Sequence, residues 1–250
     1  MNTFFKTKFG FGTTVAIALA LHAPTSYSQA VEIDFSRLDL TPGLHIVPLA
    51  ESSFTGSSAD RVRAEMAERA QTGLQSAEPG EVPDLRLAAR TVTPAGALAS
   101  PLDRRYHSLE EILPRLRYVP IALTGTVREL SPMVEATTAG GLSEGKWTGI
   151  SRSWDVAGLG FIQLDESEYK DSGGSITLVR ELLNSDVNGH PATVRTVRSA
   201  DGATLVSVSW VTETTTRRLN LQPVDPAATK ANEQALLSLA RSLEAKRAAS

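Results

Sequence analysis

Hydrophobic and polar residues alternate with a period of two along much of the C-terminal half of the chain. Val206, Val208 and Trp210, for example, fall on one face of an extended segment whose intervening residues are serines. Such alternation is typical of strands that bury one side. The predicted strands are residues 124–130, 146–156, 159–164, 176–182, 192–198, 205–211 and 217–221.

Two dipeptides predict tight turns between these strands. Asn188-Gly189 and Asp201-Gly202 supply residues that accept the positive φ angles of hairpin turns. Because the predicted strands follow one another without intervening helices, we expect an antiparallel sheet.

A helix is predicted at the C-terminal end, where leucines and an alanine form one apolar stripe over residues 236–243. Asp225 is its predicted N-cap, and Pro226 suits the first helical position. A helix with one apolar stripe buries it against a sheet. The sequence therefore predicts an α+β fold, a curved antiparallel sheet of about six or seven strands with this helix packed on one face.

The chain divides near residue 105. Residues 31–105 are rich in Ala, Pro, Gly and Ser, and we expect an appendage with one helix, over 58–74, and loops. Residues 106–250 form the predicted sheet domain. It opens with a short helix over 107–113, for which Ser108 is the predicted N-cap.

The first 30 residues have the pattern of a signal peptide. Lys6 and Lys8 precede an uninterrupted apolar core over residues 15–21, and small residues surround a predicted cleavage site after Ala30. The core is far shorter than the roughly 20 residues that span a bilayer. We therefore expect an exported protein, periplasmic or secreted, without a membrane span in its mature part.

The amino-acid composition of the chain excludes several kinds of site and partner. The chain contains no cysteine, which excludes disulfides, thiolate metal ligands and a cysteine nucleophile within it. Beyond the predicted signal peptide, 23 basic and 28 acidic side chains leave a net charge of −5 without a basic run. We therefore expect no nucleic-acid partner.

Residues from about 105 to 245 resemble an extracytoplasmic domain of unknown function found in exported and anti-sigma-factor-like proteins, which is distantly similar to the outer-membrane lipoprotein carrier fold. Three stretches carry the resemblance: 108–111 followed by 118–120, the turn at 187–192, and 203–210 ahead of the helix ending at 237–243. The segment 131–145, rich in small residues, departs from the compact strands of that family. The resemblance implies a non-catalytic fold and assigns no site residue.

One motif satisfies the G-x-S-x-G string of serine hydrolases, with Ser143 as the serine. The string is catalytic when a strand-to-helix turn raises the serine beside oxyanion donors. A predicted strand follows Ser143 instead of a helix, which favours a hairpin loop over a nucleophile.

The densest acidic cluster is Asp165-Glu166-Ser167-Glu168, with Asp171 nearby. Its spacing fails the EF-hand pattern, so we interpret it as the solvated end of a hairpin rather than a calcium site. The mature chain has no two histidines spaced as a metal pair, and we expect neither a metal nor a cofactor.

Three residues are candidates for binding. Trp147 and Trp154 flank polar residues that include Arg152, a setting that favours a surface or rim. Trp210 fits ordinary core packing better because it lies on an apolar strand face. We expect an exported, non-enzymatic binding or regulatory module for an apolar small molecule or an envelope protein. The alternatives are a serine hydrolase that uses Ser143 and a structural envelope component.

Overall fold

A computed structural model describes residues 34–86, 105–106, 109–123 and 133–247. The predicted signal peptide, the predicted strand 124–130 and the predicted N-cap Ser108 lie outside the described residues.

Eleven strands and three α-helices are described. The strands are β1 (Gly43–Val47), β2 (Gln75–Ala77), β3 (Arg105–Tyr106), β4 (Met133–Ser143), β5 (Lys146–Val156), β6 (Gly160–Glu168), β7 (Ser175–Val179), β8 (Ser185–Val187), β9 (His190–Ser199), β10 (Thr204–Val211) and β11 (Thr215–Pro223). The helices are α1 (Gly56–Thr72), α2 (Leu109–Ile112) and α3 (Thr229–Arg247).

The main sheet joins two three-stranded meanders. Its order is β2-β9-β10-β11-β6-β5-β4-β3, and β8 also pairs with β9. The strands β4, β5 and β6 are consecutive neighbours, as are β9, β10 and β11, and antiparallel pairing of β6 with β11 joins the two groups. A second, two-stranded parallel sheet pairs β1 with β7. The predicted α+β class and the antiparallel sheet are confirmed.

Most predicted strands coincide with observed ones, and β5 has the predicted bounds. The longest described strand that the sequence analysis does not predict is β4, which lies within the segment 131–145 that is rich in small residues. Its register with β5 shifts between Ala139 and Leu142, at Gly140 and Gly141. This irregularity and the small side chains hide the period of two in the sequence.

The helix α3 packs on the main sheet through the predicted stripe. Leu236, Ala240 and Leu243 are buried in one cluster with Val208 and Trp210 of β10. The helix begins at Thr229, not at Pro226, so the predicted start is wrong. The Asp225 carboxylate instead accepts a hydrogen bond from the Ala227 N–H at 2.9 Å, which stabilises a turn before the helix.

The first part of the chain contributes to both sheets. Its strand β1 pairs with β7, and β2 pairs in parallel with β9, although the sequence analysis expects only loops besides one helix. The predicted helix is confirmed as α1, and it ends at Gly73, whose φ of 74° suits a left-handed C-cap. Val62 of α1 is buried against Val179 of β7. None of the described helices is long and apolar enough to cross a membrane.

Candidate functional site

The two faces of the main sheet differ in chemistry. One face, called the helix face here, is covered by α3 and carries Leu164, Leu219 and Trp210. The residues that alternate with these along the strands point to the opposite side, called the polar face. Most polar-face residues in the centre of the sheet are partly buried rather than fully exposed.

Two cross-strand rows of polar residues define the polar face. The first, called the Asp165 row, crosses six strands from β4 to β9 and consists of Thr137, Ser151, Asp165, Arg218, Ser209 and Thr193. The second, called the Asn220 row, lies beside it and consists of Glu135, Ser153, Gln163, Asn220, Ser207 and Arg195.

Side-chain hydrogen bonds connect the two rows around Asp165. Its Oδ1 accepts from Gln163 Nε2 at 2.9 Å, and its Oδ2 accepts from Asn220 Nδ2 at 3.2 Å. Asn220 Oδ1 in turn accepts from the Ser207 hydroxyl at 2.8 Å. These bonds fix the position of the Asp165 carboxylate on the sheet.

A cleft of about 210 Å³ lies over one end of the Asp165 row. Its floor includes Asp165 and Arg218 together with the hydroxyl residues Ser209, Thr193 and Thr216. The lining also includes the apolar residues Leu178, Leu183, Pro191, Val211 and Ala139, and four further sheet residues, Glu166, Ser167, Trp210 and Arg217. The cleft is smaller than the roughly 300–1,000 Å³ of pockets for drug-sized ligands. Its size suits a small molecule with a polar part and an apolar part.

Asp165 and Arg218 are directly opposite each other on β6 and β11. In the described part of the chain they do not close an ion pair, and the one hydrogen bond of Arg218 runs from Nε to Ser209 Oγ at 3.0 Å. Burial raises the pKa of Asp165 and lowers the pKa of Arg218. Both groups therefore lose hydration at the cleft floor, and no ion pair joins them among the described residues.

On the helix face, by contrast, ion pairs connect buried charges in a charged chain, although Arg152 Nε has no hydrogen-bond partner among the described residues. Glu166 of β6 accepts from Arg217 Nε of β11 at 3.0 Å and also pairs with Arg152 of β5. Arg217 pairs further with Glu244 of α3, whose Oε1 accepts from Trp210 Nε1 at 2.8 Å. All four charged residues are buried. These ion pairs link both meanders to α3.

The same charges hold the extended segment after α2 against the helix face. Ile121 N–H donates to Glu166 Oε1 at 3.0 Å, and Arg152 Nη1 donates to the Ile121 carbonyl at 3.1 Å. Tyr118 of this segment has a buried hydroxyl without a hydrogen-bond partner among the described residues, and burial raises its pKa. Among the described residues, Ile121 of this segment packs in one hydrophobic cluster with the apolar stripe of α3 on this face.

The predicted binding residues lie in the interior. Trp147 and Trp154 are 4% and 2% exposed and belong to two different hydrophobic clusters. The expectation that they lie at a surface or rim is wrong, because the polar residues between them alternate to the other face or pair with buried partners. Arg152 is one of those residues, and it is 3% exposed inside the charged chain.

Ser143 ends β4 and leads into a two-residue turn to β5. Glu144 and Gly145 have φ angles of 51° and 75°, which is the geometry of a tight hairpin. The Ser143 hydroxyl accepts a hydrogen bond from Arg117 Nη1 at 2.6 Å. The surroundings are strand, turn and strand, so they differ from the strand-to-helix turn that activates a serine in this motif.

The acidic cluster is not a solvated hairpin end, and that interpretation is wrong. Residues 165–168 belong to β6, where Glu166 and Glu168 are 1% and 3% exposed on the helix face, and Asp171 follows the strand at an exposed position. Asp165 points to the polar face instead. Among the described residues, no group of three His, Asp or Glu side chains is arranged to hold a metal ion.

The polar-face site was missed by sequence reasoning, although a signal for it exists. Asp165 and Arg218 each alternate with leucines that face α3, namely Leu164 and Leu219. Their neighbours at every second position are Gln163, Ser167, Thr216 and Asn220. Pairing these polar positions requires the β6–β11 register, which local alternation does not supply.

Comparison of the chain with protein-family models, curated proteins and solved structures finds no match. The resemblance to an extracytoplasmic domain and to the lipoprotein carrier fold therefore stays a prediction.

Proposed function

We propose that the protein is an exported, non-enzymatic binding module whose ligand occupies the cleft on the polar face. The observation that carries this proposal is the Asp165 row, in which opposite charges and hydroxyls line a concave surface with an apolar wall. Ligand sites of proteins commonly combine an apolar lining with a few placed polar groups.

The cleft favours a small amphipathic ligand over a purely apolar one. A wholly apolar molecule would cover Asp165 and Arg218 without giving either a partner, and burying an unpartnered charge is costly. The helix face, where a carrier-like protein would keep an apolar ligand, is occupied by Trp154, Trp210 and the stripe of α3. An apolar ligand in that position would require the core to open.

Native mass spectrometry of the protein purified without detergent tests the proposal. We expect an added small mass that is lost on denaturation. Thr216→Phe fills the cleft floor and should abolish the added mass, whereas Thr214→Phe, a matched change outside the cleft lining, should retain it. A wild-type protein that carries no added mass, and takes up none from an extract of envelope small molecules, would contradict the proposal.

The two alternatives from the sequence have their own tests. A serine-reactive phosphonate probe that labels the wild type but not Ser143→Ala would favour the hydrolase. Stable co-fractionation of the protein with cell wall or outer membrane would favour a structural envelope component. Neither has a supporting arrangement among the described residues comparable to the cleft.

A further inference from the structure

We propose that the cleft binds a zwitterionic α-amino acid with an apolar side chain, its carboxylate on Arg218 and its ammonium group on Asp165. This inference rests on the proposed function, because it names the class of ligand for the same cleft.

The first argument is the adjacency of two opposite charges that no ion pair joins among the described residues. Directly opposed residues of an antiparallel pair have Cβ atoms about 4.5–5.5 Å apart, which is close enough for long side chains to meet. Arg218 nevertheless donates its Nε hydrogen bond to Ser209 rather than to Asp165. The amide groups of Gln163 and Asn220 hold Asp165 from the other side. The floor thus presents a cation and an anion side by side.

Both groups retain hydrogen-bonding capacity. A guanidinium has five N–H donors, and Arg218 uses one of them within the described residues. An ionised carboxylate offers about four acceptor positions, and Gln163, Asn220 and Ser151 occupy three of them at Asp165. Arg218 can therefore still take a carboxylate through its terminal nitrogens, and Asp165 can still accept from an ammonium group.

A ligand with a single charge fits this floor less well. An anion beside Arg218 would also lie beside the Asp165 carboxylate, and a cation beside Asp165 would lie beside the guanidinium. An α-amino acid carries both charges on one carbon, so it places each next to its opposite. Burial raises the pKa of Asp165 and lowers the pKa of Arg218, so both charged forms gain from such a ligand.

The apolar lining defines the rest of the ligand. Leu178 of β7 and Leu183 of the connection between β7 and β8 lie in the lining with Pro191 and Val211. The volume of about 210 Å³ leaves room for one small apolar side chain rather than a long acyl chain. Leucine, isoleucine, valine and methionine satisfy both requirements.

Isothermal titration calorimetry on the wild-type protein, unfolded and refolded to remove any retained ligand, tests this inference. The probes are L-leucine, L-isoleucine, L-valine and L-methionine, each titrated singly. Two analogues follow L-leucine: 4-methylpentanoate lacks the ammonium group, and 3-methylbutylamine lacks the carboxylate. We expect at least one of the four amino acids to bind. If L-leucine binds, each of its two analogues should bind about tenfold to a hundredfold more weakly, because it loses one charge-assisted contact.

Substitutions of Arg218 and Asp165 test which protein group contacts each charge of the amino acid. Arg218→Met and Asp165→Asn should each weaken binding of the amino acid about tenfold to a hundredfold. Arg180→Met and Asp186→Asn make the same changes of charge at exposed positions outside the cleft lining and should leave the affinity unchanged. The analogues probe the same contacts on the wild-type protein, so the result does not depend on the folding of a variant.

The results that would contradict this inference differ from the results that would contradict the proposed function. Equal affinities for L-leucine and 4-methylpentanoate, or binding of none of the four amino acids, would overturn the zwitterionic ligand. A retained mass that Thr216→Phe removes would in that case still support a ligand in the cleft. If Thr216→Phe leaves an added mass in place, the cleft itself is excluded as the site.

Discussion

The strands β6 and β11 carry two consecutive pairs of opposite charge that behave differently. Glu166 and Arg217 face α3, are buried, and form a hydrogen-bonded ion pair at 3.0 Å. Asp165 and Arg218, one position along each strand, face the other side and stay apart. Breaking a buried ion pair is strongly destabilising because it leaves an uncompensated charge, whereas charges at a cleft can complete their contacts with a ligand. The same two strands thus supply one structural pair and one candidate recognition pair.

The largest expected effect is the difference in stability loss between a substitution in the buried pair and the same substitution in the cleft pair. Arg217→Met leaves Glu166 and Glu244 buried without their shared cation, and we expect the free energy of unfolding to fall by about 3–5 kcal/mol. Arg218→Met, the matched change on the polar face, should cost about 1 kcal/mol or less. Chemical denaturation followed by tryptophan fluorescence measures both. Equal losses for the two variants would remove the distinction between the pairs.

Removal of a tryptophan sharpens the comparison of the two faces. Trp154→Ala should lower the free energy of unfolding by about 3–5 kcal/mol, because it opens a cavity beneath α3. Ser151→Ala on the polar face of the same strand should cost about 1 kcal/mol or less, the value of its hydrogen bond with Gln163. Urea titrations of the two variants provide the test. A small loss for Trp154→Ala would mean that this side chain is not part of the core.

A smaller effect is expected where α3 meets the charged chain. Glu244→Gln keeps an acceptor for Trp210 Nε1 but removes the charge that faces Arg217, and we expect a loss of about 1–3 kcal/mol in stability. The control is Glu233→Gln on the same helix, where the carboxylate accepts from the neutral Thr196 hydroxyl. Thermal unfolding should place the Glu233→Gln variant between the wild type and Glu244→Gln. The reverse order would show that Glu244 contributes no more than a neutral contact.

The smallest effect is a change in pH dependence. Burial raises the folded-state pKa of Asp165 above its unfolded value of about 3.9. The protonated form therefore favours folding below that value, and this contribution is lost as the pH rises through the folded-state pKa. The stability of Asp165→Asn relative to the wild type should accordingly increase from about pH 3 to pH 6. Urea midpoints over this range measure it, and a parallel pair of curves would contradict it.

The sequence predicts the strands and helices of this fold better than it predicts which strands pair with one another. The apolar stripes of β10 and α3 are local patterns, and the α+β class follows from them. The strand β4 was missed because Gly140 and Gly141 interrupt its alternation at a bulge. The strands β1 and β2 are short, and their partners β7 and β9 lie more than a hundred residues away.

The candidate site was harder to predict for a related reason. From the sequence alone, a cluster of carboxylates is expected to be solvated, because the sequence does not show which side chains pair with it. Glu166 is buried because Arg152 and Arg217 reach it from the strands on either side. The polar neighbours of Trp147 and Trp154 favour a surface position in the sequence, although Arg152, one of those neighbours, is itself buried in an ion pair with Glu166. Both errors arise because contacts between strands, which decide burial, are not given by the local sequence.

The junction between the two meanders also has a consequence for the order of folding. Neighbouring strands within a meander meet after closing short loops; Trp154 and Ile162, for example, are partners eight residues apart. Glu166 and Arg217 are 51 residues apart, so closing their loop costs about 1.6 kcal/mol more in chain entropy. We expect each meander to form first and the β6–β11 junction to close late. Conservative substitutions at Leu219 should then mainly accelerate unfolding, which stopped-flow kinetics would detect.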